Sequence, residues 1–500
     1  MKNTNNYWNL SSIIAVCGVI FLFASCDLFK SVPKEETVYD EVPGEIKGGK
    51  VYNPETGKEE EVDYIPTDLD TINWRRNPAS DAPPIKTDGQ NNGGTSDNNP
   101  NTGGNTNPDN TGGNTVDTGG QNTTTGGVAT TMKSSYNVAM MLPFVTNKFS
   151  AFDSEIYAKS EWAIQYYGGA QIALDRLRSE GINLNINTLD TQGSEGKVNT
   201  EISNNPAIQN ADLIIGPYRS INVRQVAEYA KGKQIPVVSP YSAASNVSND
   251  NPFLVQVNPS LNTHIEKITE HALSKYNAEQ IVLVVRDKVE EKARLALFQN
   301  AHKAIKKSDE VTAFREFVIE DDGEYDKLDV TIRDYMVDGS TTVFIVPTWS
   351  NEVFVNSFLR QVEIARRSYD RVTVYGMPQW MEYGNTDYTY FEKLDVHVSN
   401  SFFVQKNTED ARAFRQSFYD RYGKRADKAA YLGYDVMLYF GRQIHNKGTQ
   451  FQQFLPENTA DMLHAKFMFE PVFDANVGTG VDANAQVERY ENRFVHLLKN

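Results

Sequence analysis

Two short polar segments carry the clearest binding chemistry in this sequence, because each offers hydroxyl and backbone N–H groups directly after an apolar run. Their members are Tyr218, Arg219 and Ser220 in the first segment, and Tyr241, Ser242 and Ala243 in the second. Ser220 is a good N-cap for the helix that we predict to follow, and the unpaired N–H groups of a helix start favour a carboxylate or another anion. Ser220 either only caps that helix or also contacts a ligand. Arg219 either adds a full positive charge or points to water.

The elements that must position these segments are short apolar strands alternating with amphipathic helices, from residue 136 onward. We predict strands over 138–142, 184–189, 212–215, 236–238, 281–285, 343–346 and 372–375, and helices over 162–178 and 222–231. Short strands that are apolar throughout are typical of parallel sheets covered by helices on both faces. Ligands of such sheets bind at the carboxyl ends of the strands, where both polar segments lie. About 365 residues exceed a single core, which favours two α/β lobes.

The order and spacing of several motifs resemble the type 1 periplasmic solute-binding proteins, which include the branched-chain amino-acid binders of ABC transporters. The motifs lie at 140–144, 168–175, 190–191, 211–220, 235–244, 286–287 and 431–435. The resemblance covers about 136–500 and implies two Rossmann-like lobes with parallel sheets, joined by three crossovers. It places lobe 1 at 136–258 plus about 400–465 and lobe 2 at about 262–398, and residues 466–500 form a C-terminal crossover segment.

The same resemblance implies that Ser220 and the backbone of 241–243 face a cleft and hold a ligand carboxylate. Trp349 either supplies an aromatic wall or packs between the lobes. The amino-acid binders carry an acidic residue for the ligand ammonium in a turn where this chain has Gln379 and Trp380. Without that charge an α-ammonium would be desolvated with poor compensation, although Glu382 could substitute. A standard free amino acid is therefore not the favoured ligand.

The N-terminus has the pattern of an export and lipidation signal. The apolar run from Ile13 to Phe23 is about half the length needed to span a bilayer. Two small residues then precede Cys26, which resembles a bacterial lipobox. We therefore expect residues 1–25 to be a lipoprotein signal peptide and Cys26 to carry lipid; the alternative is an ordinary signal peptide with a chance cysteine. Asp27 favours the outer over the inner membrane, with the protein on the periplasmic side of the cell envelope.

Between the signal and the folded region, composition predicts a tether. Residues 26–87 form an acidic segment with a candidate hairpin around an Asn-Pro-x-x-Gly turn at 53–57. Residues 88–132 are rich in Asn, Gly and Thr, and a segment with so little apolar surface is predicted to be a disordered spacer.

Charge and motif content exclude several functions. Lys and Arg total 49 against 65 Asp and Glu, a net charge of −16, which argues against nucleic acid as a partner. The two cysteines lie at positions 17 and 26, so the folded region has no thiol nucleophile. We find no catalytic, metal-binding or cofactor motif and expect a protein that is not an enzyme, without cofactor or metal.

The sequence leads to one main hypothesis and one rival. The main hypothesis is a lipid-anchored solute-binding protein that closes two lobes on a small ligand, an amino acid, peptide or related anion, and passes it to an ABC permease. The rival is an envelope lipoprotein of the same fold that does not serve transport but binds or regulates a peptidoglycan synthase or another envelope partner.

Overall fold

The computed structural model describes residues 50–53, 58–61, 121–125, 128–149, 156–248, 250–323, 325, 327–368, 370–473 and 487–499. The apolar run and Cys26 lie outside these described residues. The chain divides into two units, 1–68 and 69–500. In the first unit, β1 (Lys50–Asn53) and β2 (Lys58–Glu61) pair antiparallel, so the hairpin expected from the turn sequence is present.

The second unit alternates strands and helices in the order that the hydrophobic pattern predicts. Its strands are β3 (Gln121–Thr125), β4 (Val128–Met132), β5 (Tyr136–Leu142), β6 (Leu184–Asp190), β7 (Leu213–Ile215), β8 (Val237–Ser239), β9 (Leu254–Gln256), β10 (Ile281–Arg286), β11 (Arg315–Ile319), β12 (Thr341–Ile345), β13 (Arg371–Gly376), β14 (Val396–Asn400), β15 (Ala460–Asp461), β16 (Lys466–Phe467), β17 (Phe469–Phe473), β18 (Val487–Asn492) and β19 (His496–Lys499). Its α-helices are α1 (Glu161–Ser179), α2 (Glu195–Asn204), α3 (Pro206–Gln209), α4 (Ser220–Lys233), α5 (Leu261–Lys275), α6 (Val289–Lys306), α7 (Asp329–Asp334), α8 (Glu352–Ala365), α9 (Thr389–Lys393), α10 (Glu409–Tyr422) and α11 (Lys428–Lys447).

Two mixed sheets, both mainly parallel, form the centres of two lobes. The sheet of lobe 1 has seven strands in the order β17-β18-β9-β8-β7-β5-β6, and only its edge strand β17 pairs antiparallel. The sheet of lobe 2 has six strands in the order β11-β10-β12-β13-β14-β19, with β19 antiparallel at the edge. The expected α/β class with two parallel-stranded Rossmann-like lobes is confirmed.

The chain passes between the two sheets three times. It leaves lobe 1 after β9, returns after β14, and leaves again between β18 and β19. Three strand-to-strand passages make a hinge, because they are the covalent connections that must bend if the lobes move.

Helices cover both faces of the lobe 1 sheet, as strands that are apolar throughout require. Along β5, Val138 and Met140 face one core cluster, whereas Ala139 and Met141 face the other. This alternation is the two-residue period of a strand buried on both sides. Lobe 2 has its own buried cluster, which is centred on β10, β12 and β13.

The end of the predicted spacer is structured. β3 and β4 pair antiparallel, and Thr130 in β4 is 3% exposed. Its hydroxyl donates to the Lys447 carbonyl oxygen at 2.8 Å and accepts the Gln450 N–H at 3.1 Å. The prediction of disorder over 88–132 is therefore wrong for 121–125 and 128–132. Lobe 1 provides hydrogen-bond partners for Thr130 of β4, which the spacer sequence lacks on its own. Among the described residues, no helix is both long and apolar enough to cross a membrane.

Candidate functional site

The loop after β7 turns sharply at Gly216. Its φ is 95°, and a Cβ at this position would lie 2.3 Å from the Met141 carbonyl oxygen. Only glycine combines that backbone angle with so close an approach. The turn directs the following residues to the start of α4 at the carboxyl edge of the sheet.

A hydroxyl pair joins the two polar segments. The Oγ atoms of Ser220 and Ser242 are 2.7 Å apart, and the Ser242 Oγ also accepts the backbone N–H of Ala244 at 3.3 Å. Ser242 is buried, and Ala243 beside it is half-buried. The structure therefore brings together the loops that follow β7 and β8, which are neighbouring parallel strands.

Ser220 does not cap α4. Arg219 holds the N-cap position with φ −77° and ψ 137°, and Ser220 is already the first helical residue. The prediction of a Ser220 cap is wrong because the helix begins two residues before the start predicted from its apolar pattern. Ser220 therefore has helical backbone angles, whereas an N-cap residue has extended ones. The Ser220 hydroxyl is thereby available for its bond to Ser242. Arg219 is exposed, and its guanidinium donates to the Gly193 carbonyl oxygen at 2.9 Å.

Four aromatic rings, which we call the aromatic wall, lie in contact next to the hydroxyl pair: Trp162, Tyr166, Tyr218 and Tyr241. Tyr218 and Tyr241 stack with ring centroids 4.0 Å apart and an interplanar angle of 20°. Trp162 meets Tyr218 edge-on at 4.4 Å and stacks on Tyr166 at 5.0 Å. Sequence reasoning named both tyrosines of the stack but missed Trp162. An aromatic residue at the start of the first helix after β5 was the available signal.

On lobe 2, Trp349 follows β12 and is half-buried against the core of that lobe. Its ring lies 6.0 Å from the His264 ring in an edge-on arrangement. Burial lowers the pKa of His264 to about 4, so the imidazole is neutral at pH 7. His264 belongs to the first turn of α5, just after a crossover, so Trp349 contacts the hinge region.

Gln379 and Trp380 lie in the 3-10 segment Pro378–Glu382 but have different surroundings. Gln379 is half-buried, and its Oε1 has no hydrogen-bond partner within the described part of the chain. Trp380 is fully buried, and its indole N–H donates to the Thr348 carbonyl oxygen at 2.9 Å. A Cβ at Gly376 would lie 2.3 Å from this indole. Trp380 is thus part of the core of lobe 2, contrary to its expected role as a ligand contact.

An ion pair between described residues joins the two lobes directly. Glu382, at the end of the same 3-10 segment of lobe 2, accepts a hydrogen bond from Lys428, the first residue of α11 in lobe 1. Glu382 therefore already has a cationic partner.

A buried charge cluster lies at the strand ends of lobe 2. Arg286, the last residue of β10, is 7% exposed and ion-paired to Glu291, which is 4% exposed. The Thr348 hydroxyl donates to Glu291 at 3.1 Å, and Arg286 reaches Asp321 at 3.2 Å. Hydrogen bonds from Lys288 and Tyr325 lower the pKa of Asp321 to about 2. The sequence did not predict this cluster, because Arg286 and Asp321 lie 35 positions apart and Glu291 and Thr348 lie 57 positions apart.

Two further observations concern parts of the structure other than these strand ends. A groove of about 350 Å³ lies between α1, α10 and α11. Within it Arg421 pairs with Asp175 at 2.6 Å, and Arg176 donates to the Tyr434 hydroxyl at 3.0 Å. Across the described ranges, no group of three or more His, Cys, Asp or Glu side chains is arranged to hold a metal ion.

Two hinged α/β lobes with polar loops at the strand ends define a binding protein. The chain belongs to the periplasmic binding protein family, whose pattern matches residues 153–453, more than half of the chain. This family consists of binding proteins and is not a class of enzymes. No curated protein sequence matches the chain.

Two solved structures with a similar fold are described as ABC transporter proteins. One from Rhodospirillum rubrum, assigned to a branched-chain amino acid ABC transporter, is 12% identical with a TM-score of 0.50, covering 72% of this chain and 95% of its own. A substrate-binding protein from Desulfitobacterium hafniense is 14% identical with a TM-score of 0.49, covering 73% and 97%. Identity this low supports the fold alone.

Proposed function

We propose that this protein is an extracytoplasmic solute-binding protein that closes its two lobes on a small ligand. The observation that carries the proposal is the Ser220–Ser242 hydroxyl pair, 2.7 Å apart, at the carboxyl edge of the lobe 1 sheet. Both hydroxyls can turn from each other to a ligand carboxylate, since a hydroxyl rotates to suit its partner. The proteins with this architecture described above belong to ABC transporters, so we extend the proposal to delivery of the ligand to a permease.

Ligand binding would act by shifting the lobes between open and closed forms. A ligand that contacts both lobes binds the closed form more tightly, and closure follows from that difference in affinity. The three passages between the sheets would be the points at which the chain bends during that closure.

The test is a screen for ligands by thermal shift and calorimetry, with amino acids, short peptides, muropeptides and small carboxylates. We expect at least one class to raise the melting temperature of the wild type. The double variant Ser220→Ala/Ser242→Ala should weaken that ligand by about tenfold or more, because two hydrogen bonds to a charged group are lost. Ser203→Ala, at an exposed serine of α2, is the matched control and should bind normally. Stabilisation by none of the solutes would refute the proposal.

We further propose that Cys26 anchors the protein through lipid, which rests on the apolar run and the small residues before it. Cys26→Ala should abolish incorporation of a labelled fatty acid and release the protein from the membrane fraction. Unchanged labelling in this variant would disprove the anchor.

The Lys428–Glu382 pair gives some support to the rival function. It joins the lobes through protein groups alone, so the closed form would not need a solute. A protein of that kind would bind a peptidoglycan synthase or another envelope partner. Crosslinking in intact envelopes, followed by mass spectrometry, distinguishes the two functions. A permease crosslinked to this protein would support transport, and a crosslinked peptidoglycan synthase would support the rival function.

A further inference from the structure

We infer that residues 128–133, which we call the clasp, fasten the N-terminal region of the chain to lobe 1 at the end remote from the candidate site. The clasp surface on lobe 1 consists of residues 447–450 together with Tyr136 and Asp212. This inference concerns how the folded region is held, and it is independent of what the protein binds. The clasp also lies outside the family pattern, which begins at residue 153.

A buried threonine hydroxyl lies at the centre of the clasp. Thr130 is 3% exposed, and its hydroxyl donates to the Lys447 carbonyl oxygen at 2.8 Å and accepts the Gln450 N–H at 3.1 Å. The Lys447 carbonyl ends α11, and the last four carbonyls of a helix have no partner within it. Beside it, the Thr131 N–H donates to the Thr449 hydroxyl at 3.2 Å. The clasp therefore supplies the end of α11 with a hydrogen-bond donor that the helix lacks.

Gly448 leaves the space that the clasp fills. Its φ is 77°, and a Cβ at this position would lie 2.5 Å from the Thr130 hydroxyl oxygen, 2.7 Å from the Thr131 carbonyl oxygen and 2.9 Å from the Met132 sulfur. Two of these atoms belong to hydrogen-bonding groups that are fixed in place. A side chain at residue 448 would therefore push the clasp away from lobe 1, which makes this glycine the point at which the contact can be tested.

The last residue of the clasp is tied to the start of the lobe 1 sheet. The Lys133 backbone N–H donates to the Tyr136 hydroxyl at 2.9 Å, and the Lys133 ammonium pairs with Asp212 at 2.7 Å. Asp212 is 9% exposed and also accepts the Asn137 N–H at 3.0 Å. Residues 134 and 135 alone lie between Lys133 and β5. Because this connection is so short, the clasp and its surface belong to the same copy of the chain.

The clasp surface lies at the opposite end of lobe 1 from the candidate site. Tyr136 begins β5 and Asp212 directly precedes β7, whereas Ser220 follows the end of β7, the parallel neighbour of β5. The seven residues of β5 span about 20 Å between these two edges of the sheet. The 20 residues of α11 give the same direction, since they rise about 30 Å from Lys428, which pairs with lobe 2, to Lys447 at the clasp surface.

This placement decides which lobe is held. A force or an attachment acting on the N-terminal region reaches lobe 1 through the clasp, at the edge away from the Lys428–Glu382 pair. Lobe 2 is connected to that point only through the three passages and its contacts with lobe 1. When the lobes move, lobe 2 is therefore the one that moves relative to the point of attachment.

Limited trypsin digestion of the full chain tests the clasp at Lys133. The clasp should protect the bond after Lys133, because proteolysis acts on the opened form of a segment. Gly448→Ala should release the clasp and speed this cleavage by about tenfold or more, measured by mass spectrometry of the fragment that begins at Ser134. Gly423→Ala is the matched control: it also ends a helix, its φ is 66°, and nothing lies within 4 Å of a new Cβ. It has the same unfavourable backbone angle without touching the clasp, so protection should remain.

Hydrogen exchange on the same full chain gives a second measurement. Thr130→Val keeps the size of the side chain but removes both hydrogen bonds of the hydroxyl. We expect the amides of 128–133 to exchange about tenfold faster in this variant, whereas those of 138–142 in β5 should exchange as in the wild type. Thr312→Val, at an exposed threonine before β11, is the control and should change neither segment.

Three results would overturn the inference. The first is rapid cleavage after Lys133 in the wild type, and the second is equal cleavage in Gly448→Ala and Gly423→Ala. The third is exchange in Thr130→Val that quickens equally in the clasp and in β5, because residues 128–133 would then be an inseparable part of the lobe 1 core and not a separate fastening. Each of these results leaves the solute screen untouched, so failure of the clasp and failure of the proposed function are distinguishable.

Discussion

Asp321 illustrates how single residues set the charge of the lobe 2 strand ends. Its carboxylate accepts a hydrogen bond from the buried Tyr325 hydroxyl at 2.6 Å and pairs with Lys288 at 2.8 Å. These partners favour the charged form, so the pKa falls to about 2 from an ordinary value of 3.8. A pKa that is lower in the folded chain stabilises the fold above the unfolded value and loses that contribution as the pH falls.

Asp321→Asn should therefore destabilise the protein at pH 6, and the loss should shrink as the pH falls from about 4 towards 2. We expect no more than about 1 kcal/mol at pH 6, because the carboxylate is partly exposed and water screens the pair. Urea unfolding of both proteins at pH 6 and at pH 3 measures the difference. Asp309→Asn, in the exposed segment before β11, is the control for loss of a surface carboxylate. A loss for Asp321→Asn that is the same at both pH values would contradict this account.

Residue types predict the site only where the position of a residue follows from its neighbours in the sequence. The proximity of Ser220 and Ser242 follows from the strand ends of adjacent parallel strands, which the apolar runs reveal. The burial of Trp380 depends on its contact with Gly376 across a turn, and composition does not reveal which way a turn directs its tryptophan. Of the partners of Arg286, Glu291 lies five positions away in the following helix, but Asp321 follows a different strand, and no local pattern links it to Arg286.

At the level of elements, α1 and α11 approach each other through two glycines. A Cβ at Gly433 would lie 2.0 Å from the Tyr166 carbonyl oxygen, and one at Gly169 would lie 1.8 Å from that of Ala430. Both glycines belong to motifs that carry the family resemblance. Their role is close helix packing, and this packing holds the aromatic wall, since Trp162 and Tyr166 stand on α1.

Gly433→Ala should destabilise the protein by about 1–3 kcal/mol, the usual cost of adding a methyl group to a filled contact. The neighbouring atoms are backbone of α1, which cannot move aside as a side chain would. Gly232→Ala is the matched control: it lies in α4 with no atom within 4 Å of a new Cβ. That variant should gain about 0.5–1 kcal/mol, because alanine favours a helix over glycine. Thermal unfolding measures both, and similar effects for the two would refute the packing role.

Element positions are predictable from periodicity to within one or two residues, as α1 and β10 illustrate. The helix expected over 162–178 spans Glu161–Ser179, and the strand expected over 281–285 spans Ile281–Arg286. The strands β3 and β4 escaped prediction, because their Thr-rich sequence has no apolar alternation. Thr130 is held by hydrogen bonds to Lys447 and Gln450, and partners this far away in the sequence cannot be predicted from neighbouring residues.

At the scale of the whole molecule, a buried charge network ties two of the three passages between the lobes. Glu491, at the end of β18, is fully buried and accepts the Ser260 N–H at 2.9 Å, after the first passage. Arg489 pairs with it at 2.6 Å. Burial would raise the pKa of Glu491, but Arg489 and the hydrogen bonds from Thr263 and Ser260 keep it below its ordinary value. The sequence predicts three passages through the family resemblance, but not this link between residues more than 200 positions apart.

Glu491→Gln should destabilise the protein by about 3–5 kcal/mol, because Arg489 stays buried and loses its partner charge. The double variant Glu491→Gln/Arg489→Met removes the unpaired buried cation as well. Its loss of stability should therefore be smaller than the sum of the losses for the single variants Glu491→Gln and Arg489→Met. Glu488→Gln is the control, since Glu488 makes a longer contact of 3.4 Å with the same arginine. Urea unfolding of the four variants gives the coupling energy between the two residues. Strictly additive losses would mean that Glu491 and Arg489 do not act as a pair, and that the hinge is held by its backbone contacts alone.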